Sequence, residues 1–267
     1  MQRRTLRSKA EFEGLGLHSG EPVRVVVHPH QNGIFFQFGQ ERVEAVAENV
    51  VDTRQCTKLG PISTIEHLMS ALAAWEVTDA LIEVSAPEMP AMDGSSRPFA
   101  LGLMEAGFED GDSWEPPALF KRVYHVEDDI KAAVSAGEGE FSYLFEAKDR
   151  WPGLQEATYS FQSGSYLDEI APARTFAFEE QVEPLIAAGF AKGLDMNSAL
   201  ILGRDGPVNE MRVMEEPARH KLLDLIGDLA LTGLPLRTLN VFAERSGHRT
   251  NVAAALKVRQ MLGLASL

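Results

Sequence analysis

Runs of apolar residues predict strands and helices in a regular order in the first half of the chain. β-branched and aromatic residues dominate two short runs that flank Asn32-Gly33, a pair typical of a tight turn. Pro98 suits the first turn of a helix. The predicted strands are Val23 to Pro29, Gly33 to Gly39 and Ala80 to Pro87, and the predicted helices are Thr64 to Ala74 and Pro98 to Ala106.

The second half repeats this order after an acidic segment, Glu109 to Ala118, whose glycine and Pro-Pro pair are typical of a linker. The predicted strands are Lys121 to Asp128, Glu140 to Ala147, Thr158 to Gln162 and Leu239 to Glu244, and the predicted helices are Glu179 to Ala188, Ala218 to Thr232 and Val252 to Leu262. Each half thus has strands, a long helix with a histidine near its start, and another strand. We therefore predict an α+β fold of two similar two-layer α/β domains, residues 1–112 and 118–267. Their long helices would pack against each other, so that the histidines converge.

Two histidines near the starts of the long predicted helices have acidic residues beside them. Glu66 precedes His67, while Asp224 and Asp228 follow His220 one and two helical turns later. Residues four apart lie on one face of a helix, so His220 and Asp224 should point the same way. With His67 they offer two imidazoles and a carboxylate, which can hold a catalytic zinc with an open fourth position.

Purely structural interpretations of these residues remain open. Ser63 to Glu66 fits the S-x-x-E capping box, in which the glutamate only satisfies a backbone N–H. His220 and Asp224 could form an exposed pair that contributes roughly 0.3 kcal/mol. Six apolar residues between Leu222 and Leu231 leave little of that helix for water, however, and buried carboxylates are costly unless paired or bound to metal. We favour a metal site. Three further segments would ordinarily be a turn (Gly14 to Gly20), a strand edge (Ala173 to Phe178) and a loop (Ser246 to Asn251).

Composition narrows the classes of function. The 267 residues are 45% hydrophobic, and no apolar run approaches the length of a membrane-spanning helix. The basic N-terminus leads into polar residues without an apolar signal core, and a single cysteine, Cys56, excludes an internal disulfide. Both features favour the cytoplasm. The net charge of -14 argues against a nucleic-acid partner, so an anionic substrate would need locally concentrated basic residues.

Six segments, taken in chain order, resemble the motifs of the UDP-3-O-acyl-N-acetylglucosamine deacetylases, zinc amidases that commit bacteria to lipid A synthesis. The resemblance spans nearly the whole chain and implies two α/β domains with the active site between them. STIEHL together with RHKLLDLIGDL is its most specific part. The segments are GLGLHSG, STIEHLMSAL, IEVSAPEMPAMDGSSRPF, ARTFAF, RHKLLDLIGDL and SGHRTN.

The resemblance also implies roles for individual residues. The implied metal ligands are His67, His220 and Asp224. The implied acid–base residues are Glu66 as general base, His248 as general acid and Asp228 as the carboxylate partner of that histidine. Thr175 matches a hydroxyl that helps to polarise the amide carbonyl. The implied substrate-binding residues are His18, Phe176, Phe178 and Lys221, with Cys56 at the mouth of the site.

An apolar passage for the acyl chain is expected along the stretch from Phe178 to Leu200, provided that Lys192 and Asp195 turn outward. The chain departs from the family pattern around this passage and the substrate, while the metal and acid–base positions are intact. The departures are Gly193 to Ala199, Ala74 to Asp79, the shortened stretch from Val51 to Ser63, and Glu146 to Gly153.

The resemblance therefore implies a monomeric zinc amidohydrolase that removes acetyl from a UDP-linked, 3-O-acylated glucosamine. Fe²⁺ is the alternative metal in the cell. Three other functions remain open: a related deacetylase acting on another N-acetyl sugar, an Fe(II) oxygenase built on the same two-histidine, one-carboxylate triad, and a catalytically silent binding protein.

Overall fold

The structure is a computed structural model that describes residues 1–265. Its strands are β1 (Gln2–Leu6), β2 (Ala10–Leu15), β3 (Pro22–Pro29), β4 (Ile34–Phe38), β5 (Glu41–Glu44), β6 (Val50–Asp52), β7 (Lys58–Leu59), β8 (Ala80–Val84), β9 (Phe108–Ser113), β10 (Val123–Glu127), β11 (Ile130–Ala136), β12 (Glu140–Glu146), β13 (Leu154–Ser160), β14 (Phe176–Phe178), β15 (Leu200–Leu202) and β16 (Leu239–Glu244). Its α-helices are α1 (Glu66–Ala74), α2 (Arg97–Ala106), α3 (Tyr166–Glu169), α4 (Glu179–Ala187), α5 (Glu216–Ala230) and α6 (His248–Met261). Within residues 1–265, no helix is both long and apolar enough to cross a bilayer.

Two five-stranded sheets share one topology. The first has the order β2-β3-β8-β4-β5 and the second the order β10-β11-β16-β12-β13. In each sheet the strand that comes last in the chain, β8 or β16, lies between the strands that come second and third in the chain. It pairs antiparallel with the second, β3 or β11, and parallel with the third, β4 or β12. A long helix, α1 or α5, precedes this last strand, and α2 or α6 follows it. The predicted α+β fold is confirmed. The division into domains 1–112 and 118–267 stays a prediction, which this repeated topology supports.

The helices of the two halves meet in the centre of the molecule. α1 packs against α5, α2 packs against α1 and β2, and α6 packs against α5 and β11. Leu68, Met69 and Leu72 of α1 are fully buried, because this helix is enclosed on nearly all sides. Gly227 of α5 allows the closest approach: a Cβ there would lie 2.1 Å from the carbonyl oxygen of Glu66. Contact between α1 and α5 brings together the two motifs that the sequence separates.

The structure differs from the sequence predictions of local structure, or goes beyond them, at several places. Phe108–Ser113, largely predicted as linker, is strand β9, which pairs antiparallel with β1 and satisfies that strand's backbone groups. The Asn32-Gly33 turn does not join neighbouring strands, because β8 lies between β3 and β4. The strand β11 was not predicted. Ser246 to Asn251 is only partly a loop, since α6 begins at His248.

Candidate active site

The three predicted metal ligands converge where α1 meets α5. His67 is the second residue of α1, and His220 and Asp224 lie one turn apart on α5. Asp224 Oδ1 is 3.5 Å from His220 Nε2 and 3.8 Å from His67 Nε2. One ligand atom from each residue lies within 4.8 Å of the others, and all three side chains are buried.

The donor atoms fit a divalent metal ion. Asp224 Oδ1 is buried and has no hydrogen-bond partner in the structure. His220 Nδ1 is 3.1 Å from the carbonyl oxygen of Ala173, so it donates there and leaves Nε2 with a free lone pair facing the carboxylate. Burial, with the nearby His220, lowers the pKa of His67 to about 3, so that imidazole is neutral. Two neutral imidazoles and one carboxylate match a catalytic zinc site.

Glu66 lies beside this site and does not cap the helix. α1 begins at Glu66 itself, with Ile65 as N-cap and no side-chain cap, so the capping-box interpretation is wrong. Glu66 Oε2 accepts a hydrogen bond from the backbone N–H of Thr57 at 3.0 Å, and Oε1 lies 3.8 Å from His248 Nε2. Burial raises the pKa of Glu66 to about 7, although the nearby His248 opposes that shift. A carboxyl group with this pKa can take up a proton near neutral pH.

His248 is held at the start of α6 by a carboxylate. Its Nδ1 donates to Asp228 Oδ2 at 3.0 Å, and Asn251 Nδ2 donates to the same oxygen at 3.0 Å. Burial disfavours the imidazolium, but the charges of Asp228, Glu66 and Asp224 outweigh this effect and raise the pKa of His248 to about 9. The ring can therefore keep a proton on Nε2 at neutral pH. We call Glu66, His67, His220, Asp224, Asp228 and His248 the histidine–carboxylate cluster.

A cavity of about 310 Å³ opens from this cluster. Thr175, Phe176 and His18 line it; the first is predicted to help polarise the amide carbonyl and the other two to bind substrate. The His18 ring packs edge-on against Phe190, with ring centroids 5.2 Å apart, and its buried Nε2 has no partner in the structure. Burial lowers the pKa of His18, which keeps it neutral.

Lys221 is the one lysine or arginine among the cavity-lining residues in the described part of the chain. Its Nζ donates to Asp224 Oδ2 at 2.9 Å and lies 5.5 Å from the centre of the Phe176 ring. The arginines near the other motifs pair elsewhere, and the buried Arg174 binds the carboxylate of Glu216 at 2.8 Å. Arg219, Arg245 and Arg249 likewise contact backbone carbonyls or carboxylates outside the cavity.

One side of the cavity is apolar and comes from α4 and the segment after it. Phe178, predicted to join this surface, does not line the cavity. The centre of its ring lies 4.8 Å from the guanidinium carbon of Arg150, which packs over the ring. Lys192 is also absent from the lining. Asp195 borders the cavity, but its Oδ1 accepts bonds from residues 197 and 198. We call the large apolar lining residues of α4 and the segment after it the apolar wall: Val182, Leu185, Ile186, Phe190, Leu194 and Met196.

Sequence reasoning missed Thr57 and Asn251, both of which bind Asp228. Thr57 gives no local signal of this contact, because its partner is 171 residues away. Asn251 lies three residues after His248, on the same helix face, and would have been evident had the start of α6 been predicted correctly.

The family model for UDP-3-O-acyl N-acetylglycosamine deacetylase matches residues 3–260. The chain is also similar to proteins named UDP-3-O-acyl-N-acetylglucosamine deacetylase. One from Geotalea uraniireducens (strain Rf4) is 36% identical over 92% of this chain and 85% of its own length. Another, from Campylobacter hominis, is 35% identical over 88% of this chain and 84% of its own length. A third, from Leptospira biflexa serovar Patoc, is 33% identical over 96% of this chain and 89% of its own length.

Proposed function

Because the chain belongs to the UDP-3-O-acyl N-acetylglycosamine deacetylase family, we propose that it hydrolyses the N-acetyl group of UDP-3-O-acyl-N-acetylglucosamine and releases acetate. In this proposal the protein acts in lipid A synthesis, as a monomer in the cytoplasm. The observation that carries the proposal is that α1, α5 and α6 bring Glu66, three metal-ligand candidates and His248 to one end of a partly apolar cavity.

We propose that His67, His220 and Asp224 hold a zinc ion, with Fe²⁺ as the alternative in the cell. A metal there would supply positive charge that makes water more acidic and polarises the amide carbonyl. The unpartnered Asp224 Oδ1 and the two facing Nε2 atoms support this assignment. Lys221 binds the other oxygen of Asp224 and so leaves Oδ1 for the ion.

Glu66 acts as the general base in this mechanism. Its Oε2 is held by Thr57, so the free Oε1 takes a proton from the attacking water. His248 then donates its Nε2 proton to the amide nitrogen, which leaves as the amine when the C–N bond breaks. Asp228 keeps His248 protonated until that step, because its carboxylate accepts the Nδ1–H. Thr175 donates from its hydroxyl to the oxyanion that develops during attack.

The cavity residues support an acylated, anionic substrate. Lys221 provides a positive charge beside the reacting centre, although the chain as a whole has a net charge of -14. The apolar wall provides a surface that an acyl chain would cover. A related deacetylase that acts on an unacylated N-acetyl sugar is the alternative function, but it would leave the apolar wall without a ligand.

A deacetylase assay on the acylated sugar nucleotide and its unacylated parent, with metal analysis of the same sample, tests the proposal. The expected result is a much higher kcat/KM for the acylated substrate and about one metal ion per chain. Equal kcat/KM values would favour the alternative substrate. No release of acetate from either compound by metal-loaded protein would refute the proposed function.

A further inference from the structure

Thr57, which transfers no proton in the proposed mechanism, binds both the proposed base and the carboxylate partner of the proposed acid. It lies between β6 and β7 and is fully buried. Its backbone N–H donates to Glu66 Oε2 at 3.0 Å, and its hydroxyl donates to Asp228 Oδ1 at 2.5 Å. Its carbonyl accepts the backbone N–H of Ile65, immediately before Glu66, at 3.3 Å. A residue of the first half of the chain thus binds the proposed base and the carboxylate that supports the proposed acid.

These bonds fix which oxygen of each carboxylate faces His248. Since Thr57 occupies Glu66 Oε2, the other oxygen, Oε1, lies 3.8 Å from His248 Nε2. Since Thr57 occupies Asp228 Oδ1, the other oxygen, Oδ2, accepts the His248 Nδ1–H at 3.0 Å. Rotation of either carboxylate would break a bond to Thr57. The imidazole is therefore held between two carboxylates that are tied to the same residue.

We propose that Thr57 is a positioning residue for the deacetylation, which holds Glu66 and the Asp228–His248 pair in one mutual orientation across the two halves of the molecule. The inference rests on the proposed function, since it concerns the same acid and base. A merely structural role leads to a different expectation. Loss of a buried hydroxyl would then lower the melting temperature and leave kcat of the folded protein unchanged.

Thr57→Val separates these two roles. Valine has nearly the same shape and keeps the backbone N–H to Glu66, but it removes the donor to Asp228 Oδ1. We expect kcat to fall roughly 10- to 100-fold, because a misplacement of reacting groups by about 1 Å can cost on the order of 100-fold. KM and metal content should change by less than about twofold, because Thr57 does not line the cavity. Thr57→Ser restores the hydroxyl and should recover most of the lost kcat.

Thr232→Val is the matched control. Thr232 is also fully buried, and its hydroxyl donates to the carbonyl of Leu229 at 2.8 Å, after the last turn of α5. This variant should lose stability without a comparable loss of kcat. If Thr57→Val does not fold, Thr57→Ala removes the same hydroxyl without placing a methyl group against Asp228.

A double-mutant cycle with Asp228→Ala makes the test specific. Thr57→Val should lower kcat much less in that background, because the carboxylate that Thr57 orients is already absent. An equal loss of kcat in both backgrounds, or a kcat for Thr57→Val within twofold of the unsubstituted protein, would overturn the inference alone. Absence of deacetylase activity in the unsubstituted, metal-loaded protein would overturn the proposed function and this inference with it.

Discussion

The histidine–carboxylate cluster and the apolar wall border the same cavity but are built in opposite ways. The cluster lies on α1, α5 and α6, which pack against one another in the core, and its side chains are at most 10% exposed. The apolar wall lies on α4 and the segment after it, where Ile186 is 58% and Met196 53% exposed. Proton transfer requires fixed geometry, whereas an acyl chain requires only apolar area. Gly193 to Ala199, where the sequence is expected to depart from the family pattern, contains Leu194 and Met196 of the wall and no residue of the cluster.

Removal of the metal should have the largest effect, because the proposed reaction needs its charge to acidify water and polarise the amide carbonyl. The experiment also tests whether the histidine–carboxylate cluster is a metal site at all. Dialysis against a strong chelator should abolish deacetylation, and added zinc should restore it. The melting temperature should fall as well, since a ligand at a thousand times its Kd stabilises the folded state by about 4 kcal/mol. Full activity of protein shown by elemental analysis to be metal-free would exclude this site.

Loss of the base or the acid should lower kcat by at least about 100-fold, within the usual range for such groups. Glu66→Ala and His248→Ala remove the two groups separately and leave His67, His220 and Asp224 in place. Steady-state kinetics with metal analysis should therefore show a loss of kcat with metal retained. Near-normal kcat in Glu66→Ala would mean that this carboxylate only satisfies the backbone of Thr57.

The pH profile of kcat/KM should be bell-shaped. Glu66 must be ionised to accept a proton, so activity should rise as pH passes its pKa, which burial raises to about 7. His248 must be protonated to donate, so activity should fall as pH passes its pKa; despite burial, Asp228 and the other carboxylates raise that pKa to about 9. A bound metal would move both limbs to lower pH, because its positive charge favours deprotonation.

Asp228→Asn should shift the alkaline limb to lower pH. The substitution removes the negative charge that favours the His248 imidazolium and therefore lowers its pKa. The acid limb should move less, because burial, rather than the charge of Asp228, is the main cause that raises the pKa of Glu66. An alkaline limb that stays in place would assign that limb to a group other than His248.

Lys221 sharpens the comparison because it sits beside the cluster but is expected to bind substrate. Lys221→Ala should raise KM more than it lowers kcat, since Lys221 is the one lysine or arginine that lines the cavity in the described residues. The KM of the unsubstituted protein should rise with salt, and that of the variant should depend on salt less. Arg249→Ala is a suitable control, because Arg249 pairs with Glu127 outside the cavity. An unchanged KM would indicate a substrate without the diphosphate.

Local spacing was enough to predict the pairing of His220 with Asp224, because residues four apart on a helix share a face. The contact of His67 with that pair depends on a glycine, Gly227, that lets α1 approach α5, and spacing along the chain does not encode it. The start of α6 was missed because Gly247 precedes it and no side chain caps the helix. The roles of the arginines could not be predicted either, because a charged residue near a motif pairs with whichever carboxylate the fold brings to it.

The smallest expected effect concerns the apolar wall, where partial exposure limits what a single side chain contributes. Leu185 lines the cavity and is about half-buried, so Leu185→Ala should weaken binding of the acylated substrate by on the order of 1 kcal/mol, less than full burial of a leucine would give. KM for the acylated sugar nucleotide should rise about fivefold, while kcat/KM for the unacylated parent stays the same. Leu154→Ala is the matched control, because this leucine is exposed on the edge strand β13 and does not line the cavity. Equal losses for the two substrates would show that Leu185 supports the fold of α4 and does not contact the acyl chain, and the apolar wall would then need another ligand.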